Sequence, residues 1–126
     1  MPELLPTMND TKWRRLLNAI ASIPLPKSYW KFLNDHSEYE RPTPQPKEIL
    51  NDAAIGDTSV IGPFYFRDVQ SVRWPEYYES TYGPHEPPRI SVQPINELAT
   101  AIAAAGQFDT HIIDGDLVLY AYREIG

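Results

Sequence analysis

The side chains that could transfer protons or bind a metal ion are few and scattered along this chain. The three histidines, His36, His85 and His111, stand far apart in the sequence. There is no HExxH motif and no pair of histidines at i and i+4, so no zinc site is evident. We interpret His111, two residues after Asp109, as a half-exposed packing residue on a strand. The sequence therefore predicts no metal ligands.

Nucleophiles and phosphate-binding loops are also missing from the sequence. There is no cysteine, no GxSxG elbow and no GxGxxG or GxxxxGK[ST] loop. The acidic pairs Glu38/Glu40 and Asp114/Asp116 fall in a predicted loop and turn, where carboxylates are normally solvated with ordinary pKa values. We predict no catalytic residue, no cofactor and no enzymatic activity. A small enzyme with a carboxylate–histidine site at Asp109 and His111 remains the third alternative.

A cluster of aromatic and acidic side chains follows a predicted strand and is the better candidate for recognition. Tyrosine and tryptophan dominate binding hot spots, because they offer large contact areas at low entropic cost. We interpret Trp74, at the strand itself, as a core residue. The predicted partner-binding residues of this cluster are Glu76, Tyr77, Tyr78, Glu79 and Tyr82.

Composition narrows the class of partner and compartment. The 126 residues carry a net charge of −6, and the basic residues are scattered, which disfavours nucleic acid as a partner. An acidic surface suits a basic protein instead. The absence of cysteine, of a signal peptide and of any apolar run of about 20 residues favours a cytoplasmic protein without a membrane partner.

Two amphipathic helices are predicted. The first begins at Asn9 or Asp10, after a flexible tail at residues 1–8, and ends before Pro24. The second begins at Pro94 and ends at Gly106. The predicted apolar stripes are Trp13, Leu16, Leu17, Ile20 and Ile23 in the first helix, and Ile95, Leu98, Ala99, Ile102 and Ala103 in the second.

Between the helices, the aromatic content of residues 28–34 favours a strand. Residues 35–48 contain three closely spaced prolines and are predicted to form a surface loop. A short helical turn is predicted at 49–54, a second strand pair at 61–78, and a polar–aromatic loop at 77–88.

The clearest local signal is the Asp114-Gly115 turn between two alternating apolar runs, which predicts a β-hairpin. Its register pairs Ile113 with Asp116 and continues outwards along the two strands. One face then holds Phe108, Thr110, Ile112, Leu117, Leu119 and Ala121, and should pack on the helices. The other holds Asp109, His111, Ile113, Val118, Tyr120 and Tyr122, from which Asp109, Tyr120 and Tyr122 complete the predicted partner-binding set.

Together these elements predict an α+β fold. A single domain at residues 9–126 would pack two helices on one face of a mainly antiparallel sheet of about four to five strands, ending in a β-hairpin.

Two resemblances bear on function. The motifs Thr11-Lys12-Trp13, VRWxE at 72–76 and DGxLxLxxYR at 114–123 resemble a family of small bacterial proteins of unknown function, across about residues 11–123. The stretch IPLPKSYWKFLND at 23–35 is similar to the LPxxYxxFL segment of SUKH-type immunity proteins, which implies a helix there. The second resemblance implies neutralisation of a toxin.

We therefore expect a cytoplasmic protein-binding domain, in its most specific form an immunity protein that occludes a basic cognate toxin stoichiometrically. The alternative is a structural or regulatory domain that self-associates as a homodimer through an edge strand.

Overall fold

The computed structural model describes residues 3–56 and 61–125, which form two α-helices and twelve β-strands. The helices are α1 (Asp10–Ile20) and α2 (Ile95–Ala105). The strands are β1 (Glu3–Pro6), β2 (Ser28–Phe32), β3 (Asp35–Arg41), β4 (Ile49–Leu50), β5 (Ala54–Ile55), β6 (Phe64–Tyr65), β7 (Val69–Trp74), β8 (Tyr77–Ser80), β9 (Arg89–Val92), β10 (Thr110–Ile113), β11 (Asp116–Tyr120) and β12 (Tyr122–Ile125). Short 3₁₀ helices at Pro46–Glu48 and Phe66–Asp68 precede β4 and β7. The predicted α+β class is confirmed.

The main sheet has five strands in the order β10-β11-β7-β2-β3, and each neighbouring pair is antiparallel. The predicted sheet of four to five strands is therefore confirmed, and so is the predicted strand within 28–34. The helix that the SUKH-like segment implies is not found at residues 28–32. Three smaller sheets, β1–β12, β4–β5–β6 and β8–β9, complete the described part of the chain.

One face of the main sheet carries the core. Trp30 pairs with Val72 and Val72 with Leu119, so their side chains share that face, and all three are fully buried. Trp13 of α1 stacks on Trp30 with 5.8 Å between ring centroids. Leu98 of α2 belongs to the same core. Both helices thus pack on this face, as predicted.

The helices begin where the capping signals indicate. The Asn9 side chain accepts a hydrogen bond from the Lys12 amide at 2.8 Å, and α2 starts directly after Pro94. Ala103, predicted for the stripe of α2, is exposed, because it lies on the flank of the helix. The buried helical residues are Trp13, Leu16, Leu17 and Ile20 in α1 and Ile95, Leu98 and Ile102 in α2.

The C-terminal hairpin has the predicted register over the four pairs from Ile113–Asp116 to Thr110–Leu119. Asp114 and Gly115 have φ values of 53° and 87°, and a type I′ turn needs positive φ at both positions. Ile112 differs from the prediction, because its side chain is 56 % exposed. It lies on the edge strand β10, and the buried core ends beneath its neighbour β11.

Residues 3–8 correct the predicted flexible tail. Strand β1 pairs antiparallel with β12. The Thr7 hydroxyl donates to the Tyr120 carbonyl at 2.6 Å, and the Met8 side chain is buried in the core. Met1 and Pro2 of the expected tail lie outside the described residues. The partner strand is at the opposite end of the chain, so no local pattern reveals this pairing.

The predicted surface loop at 35–48 is wrong over most of its length. Asp35–Arg41 is strand β3, which pairs with β2 across a two-residue turn. Thr43 is buried, and its hydroxyl donates to the Leu25 carbonyl at 2.8 Å. The prolines here begin only after the strand has ended, so they limit its length without preventing it.

The predicted helical turn at 49–54 is also wrong, because β4 and β5 form a small hairpin. Three residues, Asn51 to Ala53, connect the paired Leu50 and Ala54. Asn51 and Asp52 have φ values of 52° and 59°, the positive values that the two central residues of a type I′ turn need, and the Ala53 amide donates to the Leu50 carbonyl at 3.2 Å. Asparagine and aspartate are among the few residues other than glycine that adopt this conformation.

Candidate protein-binding surface

Strands β8 and β9 form a separate two-stranded ribbon, where the sequence predicted a loop from 77 to 88. The ribbon is antiparallel and pairs Tyr77 with Val92 and Glu79 with Ile90. Directly opposed side chains lie on the same side of a strand pair. These four side chains therefore share one side of the ribbon, which we call the outward face.

The outward face is apolar and uncovered. Tyr77 is 61 %, Val92 64 % and Ile90 69 % exposed, and Glu79 between them is exposed as well. Tyr82, in the connection between the strands, is also exposed, and the Arg89 guanidinium lies 4.7 Å from its ring centroid. Contiguous exposed apolar side chains on a small protein indicate an interaction surface more often than isolated ones do.

A buried glutamine fixes the base of the ribbon. The Gln93 amide donates to the Glu76 carbonyl at 2.8 Å, and the Gln93 side-chain amide group donates to the Pro75 carbonyl at 2.7 Å. The same side chain bonds both the amide and the carbonyl of Lys27, at 2.9 and 3.1 Å. These bonds tie the ribbon to the residue before β2 and hold its base against the main sheet.

Two of the predicted binding residues serve this attachment instead of the outward face. Tyr78 projects from the opposite side of the ribbon, and its ring centroid lies 5.9 Å from the Lys27 ammonium group. That ammonium group also pairs with the Glu40 carboxylate, which raises the pKa of Lys27. The Glu76 amide donates to an Asp116 carboxylate oxygen at 2.9 Å. Both residues are half-buried.

The second predicted group, Asp109, Tyr120 and Tyr122, lines an open depression of about 410 Å³ together with His111 and Arg123. The Asp109 carboxylate accepts two hydrogen bonds from the Arg123 guanidinium, both at 2.6 Å. His111 Nε2 lies 2.8 Å from the same carboxylate. Arg123, and then His111, lower the pKa of Asp109. The negative charge of the Asp109 carboxylate is therefore balanced by partners within the protein.

Of the two tyrosines of this group, Tyr120 lies where it was predicted and Tyr122 does not. The chain bends at Ala121, so Tyr122 leaves the hairpin and joins β12. The Tyr122 hydroxyl donates to the Arg67 carbonyl at 2.5 Å, and burial raises the pKa of Tyr122. Tyr120 stays on the hairpin, where its ring meets the His111 ring edge to face at 5.6 Å.

Arg73 organises the face of the main sheet opposite the helices, a role that the sequence did not reveal. Its guanidinium bonds the Glu38 carboxylate at 2.9 and 3.2 Å and the Asp116 carboxylate at 3.1 Å. It also lies 4.4 Å from the Tyr29 ring centroid. Arg73 lowers the pKa of Glu38, which corrects the expectation of an ordinary, solvated carboxylate. The acids of this face are thus paired internally.

Sequence reasoning missed Ile90 and Val92, which complete the outward face. A usable signal was present, because Arg89-Ile90-Ser91-Val92 alternates polar and apolar residues between prolines, as an edge strand does. Of the predicted residues, the structure places only Tyr77 and Glu79 on this face. Tyr82 lies in the connection between β8 and β9.

No group of three or more histidine or acidic residues in the described ranges is arranged to hold a metal ion. Neither α-helix in the described part of the chain is long and apolar enough to cross a membrane. Comparisons with protein-family models, with curated proteins and with solved structures find no match for this chain.

Proposed function

We propose that this protein is a protein-binding domain that recognises a basic partner through the outward face of the β8–β9 ribbon. One observation carries the proposal: Tyr77, Ile90 and Val92 lie together on a strand pair, each more than half exposed, with no layer of the described fold covering them. Burying them on a partner supplies the apolar centre that a stable interface needs.

Charge supports the basic character of the partner. Glu79 lies within the apolar patch and makes no ion pair with any residue that the structure describes. The whole chain carries a net charge of −6, which raises the encounter rate with a basic protein. A lysine or arginine of the partner opposite Glu79 would complete the contact.

In its most specific form, the proposal is that the partner is a bacterial toxin, occluded stoichiometrically in the cytoplasm. The acidic charge is what favours this form. The SUKH-like stretch at 23–35 resembles such proteins in sequence alone, because residues 28–32 form strand β2 instead of the implied helix. The alternative occupant of the outward face is a second copy of the chain. Each strand of a two-stranded ribbon has one unpaired backbone edge, which can pair with a strand of another chain. These edges favour the second copy as the alternative.

The test is co-expression with the products of adjacent genes, followed by light scattering on the eluted complex and calorimetry of the purified pair. We expect a 1:1 complex, which Ile90→Glu weakens by at least about 30-fold, since a central hot-spot residue contributes about 2 kcal/mol or more. The matched control is Leu50→Glu, at a leucine that is also more than half exposed, on strand β4 of a different sheet.

Three outcomes count against this proposal. The first is that no adjacent product forms a stable complex. The second is equal weakening by Ile90→Glu and Leu50→Glu. The third is a dimer of the isolated protein that Ile90→Glu dissociates, which would assign the outward face to a second copy.

A further inference from the structure

A second concave site lies at the other end of the main sheet, about the turn between β2 and β3. It has a volume of about 530 Å³, within the range of small-ligand pockets. One wall is the β2–β3 turn, and the other is β6 with the 3₁₀ helix that follows it. The Leu33 amide donates to the Asp68 carbonyl at 2.9 Å, which holds the two walls together. The proposed function does not use this site.

Aromatic rings form much of the lining. Phe32 meets Phe64 edge to face, with 5.1 Å between ring centroids, and lies tilted against Tyr39 at 5.9 Å. Tyr65 also lines the pocket and is half exposed. Phe64 packs in turn on the buried Trp30 at 5.3 Å, so the rings rest on the core and are preorganised.

Acids complete the lining, and they lack a basic partner. Asp35 lies opposite Phe32, and its carboxylate accepts hydrogen bonds from the Tyr39 hydroxyl and from the Ser37 amide. These bonds lower the pKa of Asp35, so the carboxylate is ionised at neutral pH. Asp68 is the second acid at the pocket. Neither acid forms an ion pair with a lysine, arginine or histidine in the described ranges.

Aromatic rings and carboxylates in one pocket favour a cationic ligand. The faces of phenylalanine and tyrosine rings attract ammonium and guanidinium groups, and a nearby carboxylate adds a direct charge interaction. The Arg67 guanidinium already lies 4.6 Å from the Tyr65 ring centroid, which is an internal example of the same contact. An anionic ligand would meet two unpaired carboxylates, and a neutral apolar ligand would leave them without a partner.

The geometry points to a binding site for an organic cation, a primary ammonium or guanidinium group, between Phe32, Tyr39 and Phe64 with Asp35 as its counter-ion. The cation is either a free small molecule or the side chain of a lysine or arginine in a peptide. The recognition chemistry is the same for both sources.

The test uses butylguanidinium and butylurea, which have nearly the same shape but differ in charge, at constant ionic strength. Amide chemical shifts in ¹H–¹⁵N spectra report binding at residues 32–39 and 64–68. We expect butylguanidinium to bind at least about tenfold more tightly than butylurea, a difference that the charge interactions account for. The same comparison with acetyl-Gly-Arg-Gly-amide and its citrulline analogue distinguishes the sources. Binding of the arginine peptide at least as tight as that of butylguanidinium assigns the site to a protein side chain, and weaker binding assigns it to a free molecule.

Variants locate the counter-ion. Asp35→Asn keeps an acceptor oxygen for the Ser37 amide, lets the Tyr39 hydroxyl accept from the new NH₂ group and removes the charge, and it should weaken binding by about tenfold. Asp68→Asn should weaken it less. The matched control is Asp114→Asn, because asparagine suits the hairpin turn as well as aspartate does. Equal affinity for butylguanidinium and butylurea, no shifts with either, or an equal loss in Asp114→Asn would overturn the inference. None of these outcomes bears on the β8–β9 ribbon.

Discussion

The β8–β9 ribbon and the β10–β11 hairpin are both short antiparallel strand pairs, yet the apolar side chains of β9 and β11 lie in opposite environments. Leu117 and Leu119 of β11 are buried beneath the helices, whereas Ile90 and Val92 of β9 are mostly exposed. The difference follows from pairing, because β11 also pairs with β7 of the main sheet and the ribbon pairs only with itself. Strand β11 therefore contributes to the core, and the outward face of the ribbon stays exposed in the described part of the chain.

The largest expected effect that separates the two regions is on stability. Leu119→Ala should lower the free energy of unfolding by about 3 kcal/mol, because it removes buried methylene groups and leaves a cavity under α2. Ile90→Ala should change the free energy by less than about 0.5 kcal/mol, because the side chain is already in water.

Urea denaturation of both variants measures these two values. A loss in Ile90→Ala comparable to that in Leu119→Ala would mean that the outward face is part of the core, and the assignment of the ribbon to recognition would fail.

The turns of the two regions allow a second, smaller comparison. Gly115 has φ of 87°, and an added Cβ would lie 2.8 Å from a Glu76 carboxylate oxygen. Gly115→Ala should therefore cost about 1 to 2 kcal/mol, from the left-handed backbone and the displaced carboxylate. Gly83, in the ribbon connection, has no such φ, and an added Cβ would meet only Glu86 Cγ, at 3.9 Å.

Gly83→Ala should thus be neutral or stabilising by up to about 1 kcal/mol, because it restricts the unfolded chain. Melting temperatures of the two alanine variants give the comparison. If both variants lost the same stability, the turn at Gly115 would not be the more constrained of the two.

The same two regions show what could be predicted from sequence. The Asp114-Gly115 turn determines its hairpin locally, so the register of β10 and β11 was predicted pair by pair. The two helices could also be predicted from local signals, because Asn9 caps α1 and Pro94 directly precedes α2. In each case, the information lies within a few residues of the element.

The ribbon and the terminal strands depend instead on distant partners. Strand β9 begins nine residues after β8 ends, across a proline-rich connection, and β1 pairs with the last described strand. The same long-range pairing determines which of the predicted binding residues lie on the outward face. Tyr77 and Tyr78 are adjacent tyrosines that the sequence alone does not distinguish. Only the pairing of β8 with β9 shows that Tyr77 faces solvent and that Tyr78 faces Lys27.

The smallest expected effect concerns the charges beside the two regions. Arg123 and His111 lower the pKa of Asp109 at the start of the β10–β11 hairpin. A carboxylate whose pKa is lowered by folding stabilises the protein above its unfolded pKa of about 3.9, and that stabilisation is lost as the pH falls through the folded value. Because Arg123 is largely exposed, the contribution at pH 7 should be at most about 1 kcal/mol.

Asp109→Asn should therefore lower stability at pH 7 and show a smaller loss than the native protein between about pH 5 and pH 2. Glu79→Gln, on the outward face, should leave stability at pH 7 as it is, because Glu79 has no ion-pair partner in the described part of the chain. Urea midpoints across this pH range give both results. A loss of stability at pH 7 in Glu79→Gln but not in Asp109→Asn would reverse the comparison, since it would make the ribbon acid structural and leave Asp109 free for a partner.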